Sequence, residues 1–318
     1  MTTTEQLDSV DRAVSRSRSR KWIRLAGCAF LPYFCVVGMF TLLQRKLIYL
    51  PDRNPAVAAE AGFVNGELRE VTRVTSDGLT LHGWFVAASD VGKAPTTLAD
   101  DDRHPLVIYF PGNAGHRRYR EKEIRQLAAL GCHVLFFDYR GYASNPGNPT
   151  EANLARDARG AWDYAIEELG ARPEQIVVWG ESLGGGVATR LAWELCSDQT
   201  QPRGLVLRCT FTSLVDAGAH HYPWLPVRLV LVDRYPSIER IPHVTCPLLV
   251  IHGRQDRIIP FDHGEKLFAA APSASHNGVP KQLVALPDAG HNDMMYVAAD
   301  EIRDAVQQFL ESVETTVH

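Results

Sequence analysis

Six short, continuously apolar runs punctuate residues 105–286 of the chain: "PLVIYF" (105–110), "HVLFFDY" (133–139), "QIVVWG" (175–180), "GLVLRCT" (204–210), "PLLVIHG" (247–253) and "KQLVAL" (281–286). None alternates with polar residues, so each reads as a strand covered on both faces. Helical patterns lie between most of them, at 116–130, 150–169, 185–196 and from Phe261, with a last one at 300–313. An irregular stretch, 211–243, interrupts the rhythm. Strands alternating with helices imply a mostly parallel sheet with helices on both faces. Two further strand-like runs, 68–74 and 79–87, flank "TSDG" as a hairpin and bring the expected strand number to eight. No linker-like stretch divides residues 60–318, so one domain is expected.

Sheets of this kind bind ligands beyond the carboxyl ends of their strands. The residues that follow Gly180 there are "ESLGGG". Gly-x-Ser-x-Gly is weak evidence alone, but here it closes an expected strand and opens an expected helix, as a nucleophile elbow requires. Gly180, Gly184 and Gly185 allow the sharp turn that would expose Ser182 near the positive end of the helix. A phosphate loop fits poorly, because no Lys-Ser/Thr follows the glycines and no Gly-x-Gly-x-x-Gly is present.

A serine needs a base, and the base an orienting acid. With such an elbow the chain order should be Ser, then Asp or Glu, then His. Asp256 in "IHGRQDRIIP" follows one strand, and His291 in "LPDAGHND" follows the last strand and precedes the last helix. His263 falls in a helical pattern, His276 in a polar loop and His318 at the terminus, which leaves His291 as the expected base. For the oxyanion, the backbone N–H of Leu183 supplies one donor and the loop "FPGNAGH" a second, assigned to Asn113. Glu181, beside the serine, either shapes the site or points away as a packing or hydrogen-bonding residue. Asp216, His220 and His221 are too loosely spaced to argue for zinc.

The N-terminal region differs from the rest. Residues 1–46 carry eight Lys or Arg against three Asp or Glu, a net +5, so the remainder of this −4 chain is near −9. An acidic body argues against nucleic acid as a partner. From Leu25 to Leu43 no residue is charged, a length suited to one membrane-spanning helix. A buried core helix and a cleaved signal peptide are the alternatives, but no clear cleavage site follows the run. The reading is a basic cytoplasmic tail (1–21), a transmembrane anchor (22–44) and a catalytic domain (45–318). The excess of basic residues before the span places the N-terminus inside and the domain outside the cytoplasm, in the periplasm of a bacterium. Cys28 and Cys35 lie in the span; Cys132, Cys196, Cys209 and Cys246 sit in or beside apolar runs as small hydrophobes.

"GNAGHRR", "FDYRGY", "GESLGGG", "FTSL", "HGRQDRIIP" and "AGHND", in this order, resemble the α/β-hydrolase superfamily over residues 45–312. The pattern is most similar to its membrane-anchored branch of acyl-ester and acyl-thioester hydrolases, which includes protein depalmitoylases and lysophospholipases. The resemblance implies the α/β-hydrolase fold with a short lid at about 211–243, and a nucleophile, acid and base at Ser182, Asp256 and His291. It places the oxyanion loop at Asn113 and calls for no metal or organic cofactor. Asp138 and Arg140 would hold the neighbouring loop. Ala143 stands where relatives usually have glycine, which leaves that loop's conformation open. The expected substrate is a small-molecule or lipid acyl ester or thioester. A peptidase or small-ester esterase with the same triad, or a non-catalytic membrane scaffold, are the competing readings. The apolar "YPWLPVRLVLV" (222–232) could line an acyl pocket, face the membrane, or simply pack as a lid.

Overall fold

The computed structural model describes residues 30–64 and 66–314. The basic tail, the first part of the expected span with Cys28, and His318 lie outside them.

The eight expected strands are present: β1 (Leu68–Val74), β2 (Thr80–Val86), β3 (Leu106–Phe110), β4 (His133–Phe137), β5 (Ile176–Glu181), β6 (Gly204–Arg208), β7 (Leu248–Gly253) and β8 (Gln282–Leu286). They lie in the order β8-β7-β6-β5-β3-β4-β2-β1. The β1–β2 and β2–β4 pairs are antiparallel and the remaining pairs parallel. Successive residues of the central strands feed opposite faces, which explains their uninterrupted apolar sequence. Leu106, Ile108 and Phe110 pack with Leu154 and Ala158 of α3 (Glu151–Glu167) and with Val187 and Leu191 of α4 (Leu183–Ser197). Val107 and Tyr109 pack on the other face with Ile124 and Leu127 of α2 (Glu121–Ala129) and with Ile302, Val306 and Phe309 of the last helix (Ala299–Glu314). Each fully buried aliphatic side chain of this kind contributes about 1.5–3 kcal/mol.

Three local features differ from the sequence expectation. The helix expected over 116–130 begins as a 3-10 turn, Arg117–Arg120, and becomes α-helical only at Glu121. Its start is held by a side-chain cap, the Arg118 N–H donating to His116 Nδ1 at 3.3 Å, and by tertiary contacts, since the Arg117 N–H donates to Asp138 Oδ1 at 2.8 Å and its guanidinium pairs with Asp138. The irregular stretch contains three short helices, α5 (Leu214–His221), α6 (Val227–Val230) and α7 (Ser237–Arg240). Ser213 caps the first, its Oγ accepting from the Asp216 N–H at 2.9 Å. A two-residue ribbon that the sequence did not suggest pairs Leu50–Pro51 with Ala114–Gly115.

The described part of the span is the helix α1, Phe30–Ile48, long and apolar enough to cross a membrane by length and composition. It runs four residues past the expected anchor, and its C-terminal end meets the domain. Gln44 bonds the lid backbone twice, its Oε1 accepting from Val232 N at 2.7 Å and its Nε2 donating to Val230 O at 3.1 Å. Arg45 Nε pairs with Asp233 at 3.0 Å. Behind it, Tyr49 Oη lies 3.1 Å from Asp233 Oδ2 and 3.0 Å from Tyr235 Oη.

Candidate active site

Parallel register brings the ends of β3, β5, β6 and β7 to one edge of the sheet, with Phe110 opposite Gly180 and Gly180 opposite Leu207. Ser182 follows β5 with φ 52° and ψ −115°, a left-handed conformation rare for a residue with a side chain. The turn is held from both sides, by the Ser182 N–H to Arg208 O at 2.9 Å and by Thr210 Oγ1 to Ser182 O at 2.8 Å. Only glycine fits its neighbours: a Cβ on Gly184 would stand 2.0 Å from Phe110 O, and one on Gly180 2.4 Å from Gly184 O.

The three residues singled out by chain order meet, although Ser182 and His291 are far apart in sequence. Ser182 Oγ lies 3.0 Å from His291 Nε2, and His291 Nδ1 lies 2.7 Å from Asp256 Oδ2. A carboxylate at Nδ1 makes that nitrogen the N–H donor and leaves the Nε2 lone pair for the serine hydroxyl. Asp256 is buried and its other oxygen accepts from the N–H groups of Ile258 and Ile259 at 2.8 and 2.7 Å. Burial alone would raise its pKa; hydrogen bonds from His252, His291 and Ile259 outweigh this and hold the carboxyl well below its usual range. Acid and base loops are tied together by Gln255 N to Ala289 O at 3.0 Å, and Gly290 N to Asp293 Oδ1 at 2.7 Å fixes the turn at His291. Cys209 also lies within reach of Asp256 and His291, but burial, then the Asp256 charge, raises its pKa and keeps it a neutral thiol.

Asn113 and Leu183 line the same cavity as the serine. Leu183 opens α4, so its N–H has no partner within the helix. The loop before Asn113 approaches closely, since a Cβ on Gly112 would stand 3.6 Å from Ser182 Cβ. Asn113 itself is fastened at two points: its Nδ2 donates to Ile48 O at 2.8 Å, and its carbonyl accepts from Leu50 N at 2.9 Å and Tyr142 Oη at 2.8 Å. Asp138 and Arg140 support this side. The Asp138 carboxylate holds Arg117 and its backbone carbonyl accepts from Asn145 Nδ2 at 2.6 Å, while Arg140 bridges Asp157 and Asp77. Ala143 adopts φ 49°, the conformation that favours glycine, and its N–H donates to Asp52 O at 2.7 Å. The loop closes with alanine there.

Ser182 and His291 open into a cavity of ≈ 420 Å³. Its walls are mostly apolar, from Phe211, Leu214 and Leu225 in the lid region, Ile259 beside the acid loop, and Phe40 and Leu47 of α1. The polar end carries Arg120, Glu181, Asn113 and Asn292. Glu181 both lines the cavity and binds inward, to Tyr109 Oη at 2.6 Å, Arg208 Nη2 at 2.8 Å and Arg120 Nε at 3.0 Å. Burial opposes its charge, but the two arginines and the tyrosine hydroxyl hold its pKa at about 2. Arg120 and the α1 residues carried no sequence signal, because their roles arise from contacts across 60 to 190 residues of chain.

An α/β hydrolase fold profile matches residues 105–233, and a prolyl oligopeptidase family profile matches 225–314. Two uncharacterized proteins of Mycobacterium tuberculosis are 41% and 40% identical over 301 residues, covering 92% of this chain and 98% of each of theirs. The lysophosphatidylserine lipase ABHD12 of Rattus norvegicus is 32% identical over 224 residues, 65% of this chain and 56% of that one. Among solved structures, an esterase of Pyrococcus furiosus superposes with a TM-score of 0.62 at 21% identity, over 83% of this chain and 97% of that one. The chain therefore belongs to the α/β-hydrolase superfamily, as a hydrolytic enzyme of its esterase and lipase type.

Proposed function

We propose that this chain is a membrane-anchored serine hydrolase that cleaves the ester or thioester bond of an acylated lipid or acylated small molecule. The observation that carries this reading is the hydrogen-bonded series Ser182, His291, Asp256, whose first two members line a mostly apolar cavity. His291 takes the hydroxyl proton as Ser182 attacks the carbonyl carbon, and Asp256 stabilises the resulting imidazolium. The Asn113 and Leu183 N–H groups receive the charge that develops on the carbonyl oxygen. His291 then returns the proton to the leaving group and activates water to release the acyl chain. In this reading residues 22–44 anchor the chain, the N-terminus is cytoplasmic, and the catalytic domain (45–318) lies outside with its lid at 211–243. The similarity to a lysophosphatidylserine lipase and the polar rim around Arg120 and Asn292 favour a single acyl chain joined to a polar leaving group.

A fluorophosphonate probe should label the folded protein and fail to label Ser182→Ala. Absence of labelling in the folded wild type would overturn the proposal. A peptidase is the second reading, favoured by the prolyl oligopeptidase match at 225–314. Acyl esters of increasing chain length, assayed beside aminoacyl amides, separate the two.

A further inference from the structure

The lid does more than cover the cavity; it runs alongside α1. At one end of the contact Gln44 holds the lid at Val230 and Val232. At the other, Tyr33 Oη donates to Trp224 O at 3.0 Å, and the Phe40 ring packs 5.8 Å from that of Trp224. Gln44 and Tyr33 are eleven helical residues apart, about 16 Å at 1.5 Å per residue. A bilayer's hydrocarbon core is about 30 Å thick, so this is about one leaflet. The side chains that the tip turns outward suit that setting: Leu229 is 85% exposed, Val232 61% and Trp224 49%. The one charged residue of the tip, Arg228, reaches back to Asp216 at 2.9 Å.

We propose that the lid tip, residues 222–232, is immersed in the leaflet beside α1, and that the acyl chain enters the cavity sideways from the bilayer between α1 and the lid. The proposal rests on the anchored-hydrolase reading and adds its substrate class, an amphiphile already resident in the membrane. Depth supports it. Ser182 lines the same cavity as Leu47 and Ile48, next to the charged Arg45 and Lys46 that end the span. That is the level at which lipid ester bonds meet the headgroups, while the chamber continues along Phe40 toward the tip. A lipid need not leave the bilayer for its carbonyl to reach the serine. The anchor helix is thus one wall of the acyl chamber.

The test uses the full chain in phosphatidylcholine vesicles. Lipids brominated at mid-chain should quench a tryptophan emission component that is missing in Trp224→Phe, and aqueous acrylamide should leave that component unquenched. In parallel, Leu229→Glu should lower turnover of a vesicle-embedded acyl ester at least tenfold, through KM, while hydrolysis of water-soluble p-nitrophenyl acetate stays within twofold. Quenching of Trp224 by acrylamide, or an equal effect of Leu229→Glu on both substrates, would overturn the inference. If the protein is also labelled by fluorophosphonate and resists alkaline carbonate extraction, the anchored-hydrolase reading survives that failure. Release by carbonate would sink both.

Discussion

Glu181 and Arg208 form a buried ion pair at the root of the nucleophile turn, with Arg208 Nη2 donating to Glu181 Oε2 at 2.8 Å. The pair joins the strand that ends at Ser182 to its neighbour, and Arg120 ties both to the start of α2. Glu181→Gln removes the charge between two arginines that stay buried or nearly so. Breaking such a pair on one side costs about 3–5 kcal/mol. A matching drop in urea-unfolding free energy is expected, with a reduced kcat because the turn loosens.

The same carboxyl sets an acid limit. Its folded pKa of about 2 lies below the unfolded value of about 4.3, so its stabilisation is complete above the unfolded value and is lost as pH falls from about 4 toward 2. Melting temperature against pH should fall across that window in the wild type and more shallowly in Glu181→Gln. Parallel curves would refute it.

A second pH effect lies away from the cavity and has the opposite sign. His104 stands between two carboxylates, with Nδ1 2.8 Å from Asp101 and Nε2 3.0 Å from Asp90. His133 completes the cluster; its Nδ1 accepts from Ala88 N at 3.1 Å and its Nε2 lies 3.0 Å from Asp101. Burial lowers the His104 pKa, but its hydrogen bonds to both carboxylates and their charges outweigh it and the value is raised. A raised pKa stabilises the fold fully below the unfolded value of about 6.5, and the gain is lost as pH rises through the folded value. His104→Gln should therefore destabilise the protein more at pH 5.5 than at pH 9. The Ala88 N–H requires the Nδ1 lone pair of His133 and so assigns its proton to Nε2, which faces Asp101 and leaves no free nitrogen lone pair on that ring for a metal.

Asp256→Asn should leave the fold in place and lower kcat by about 10⁴, since the amide favours the wrong imidazole tautomer. Ser182→Ala should abolish acyl-enzyme formation at a similar melting temperature. Burst-phase kinetics with a chromogenic ester measure both. A kcat for Asp256→Asn within tenfold of wild type would exclude the proposed orienting role.

Gly184→Ala places a methyl group 2.0 Å from Phe110 O, a backbone atom in the sheet centre that cannot move aside. A loss of about 3 kcal/mol or more in folding free energy is expected, read from chemical denaturation.

The sheet was legible because both-face burial writes itself into β3 to β7 as unbroken apolar runs. The meeting of Ser182, Asp256 and His291 was legible because each follows a strand in the chain order expected around a nucleophile elbow. The 3-10 start at Arg117 and the Leu50–Pro51 ribbon were not, since both depend on long-range bonds that leave no local pattern. Glu181 was left between two readings, and both hold: it lines the cavity and also bonds inward. Arg120, Gln44 and Phe40 reach the site only through tertiary packing, so nothing in their neighbourhoods marks them.

The ribbon between Leu50–Pro51 and Ala114–Gly115 bears on how the domain is mounted. No slack chain separates α1 from the loop that carries Asn113; the ribbon follows the helix after a single residue. A tethered enzyme swings on its leash and must re-find the surface at every turnover. Under the proposed anchoring this domain is fixed like a bracket to its post, and a tilt of α1 is carried into the loop of Asn113. Lipids that change that inclination are then expected to alter the rate, with no binding site of their own.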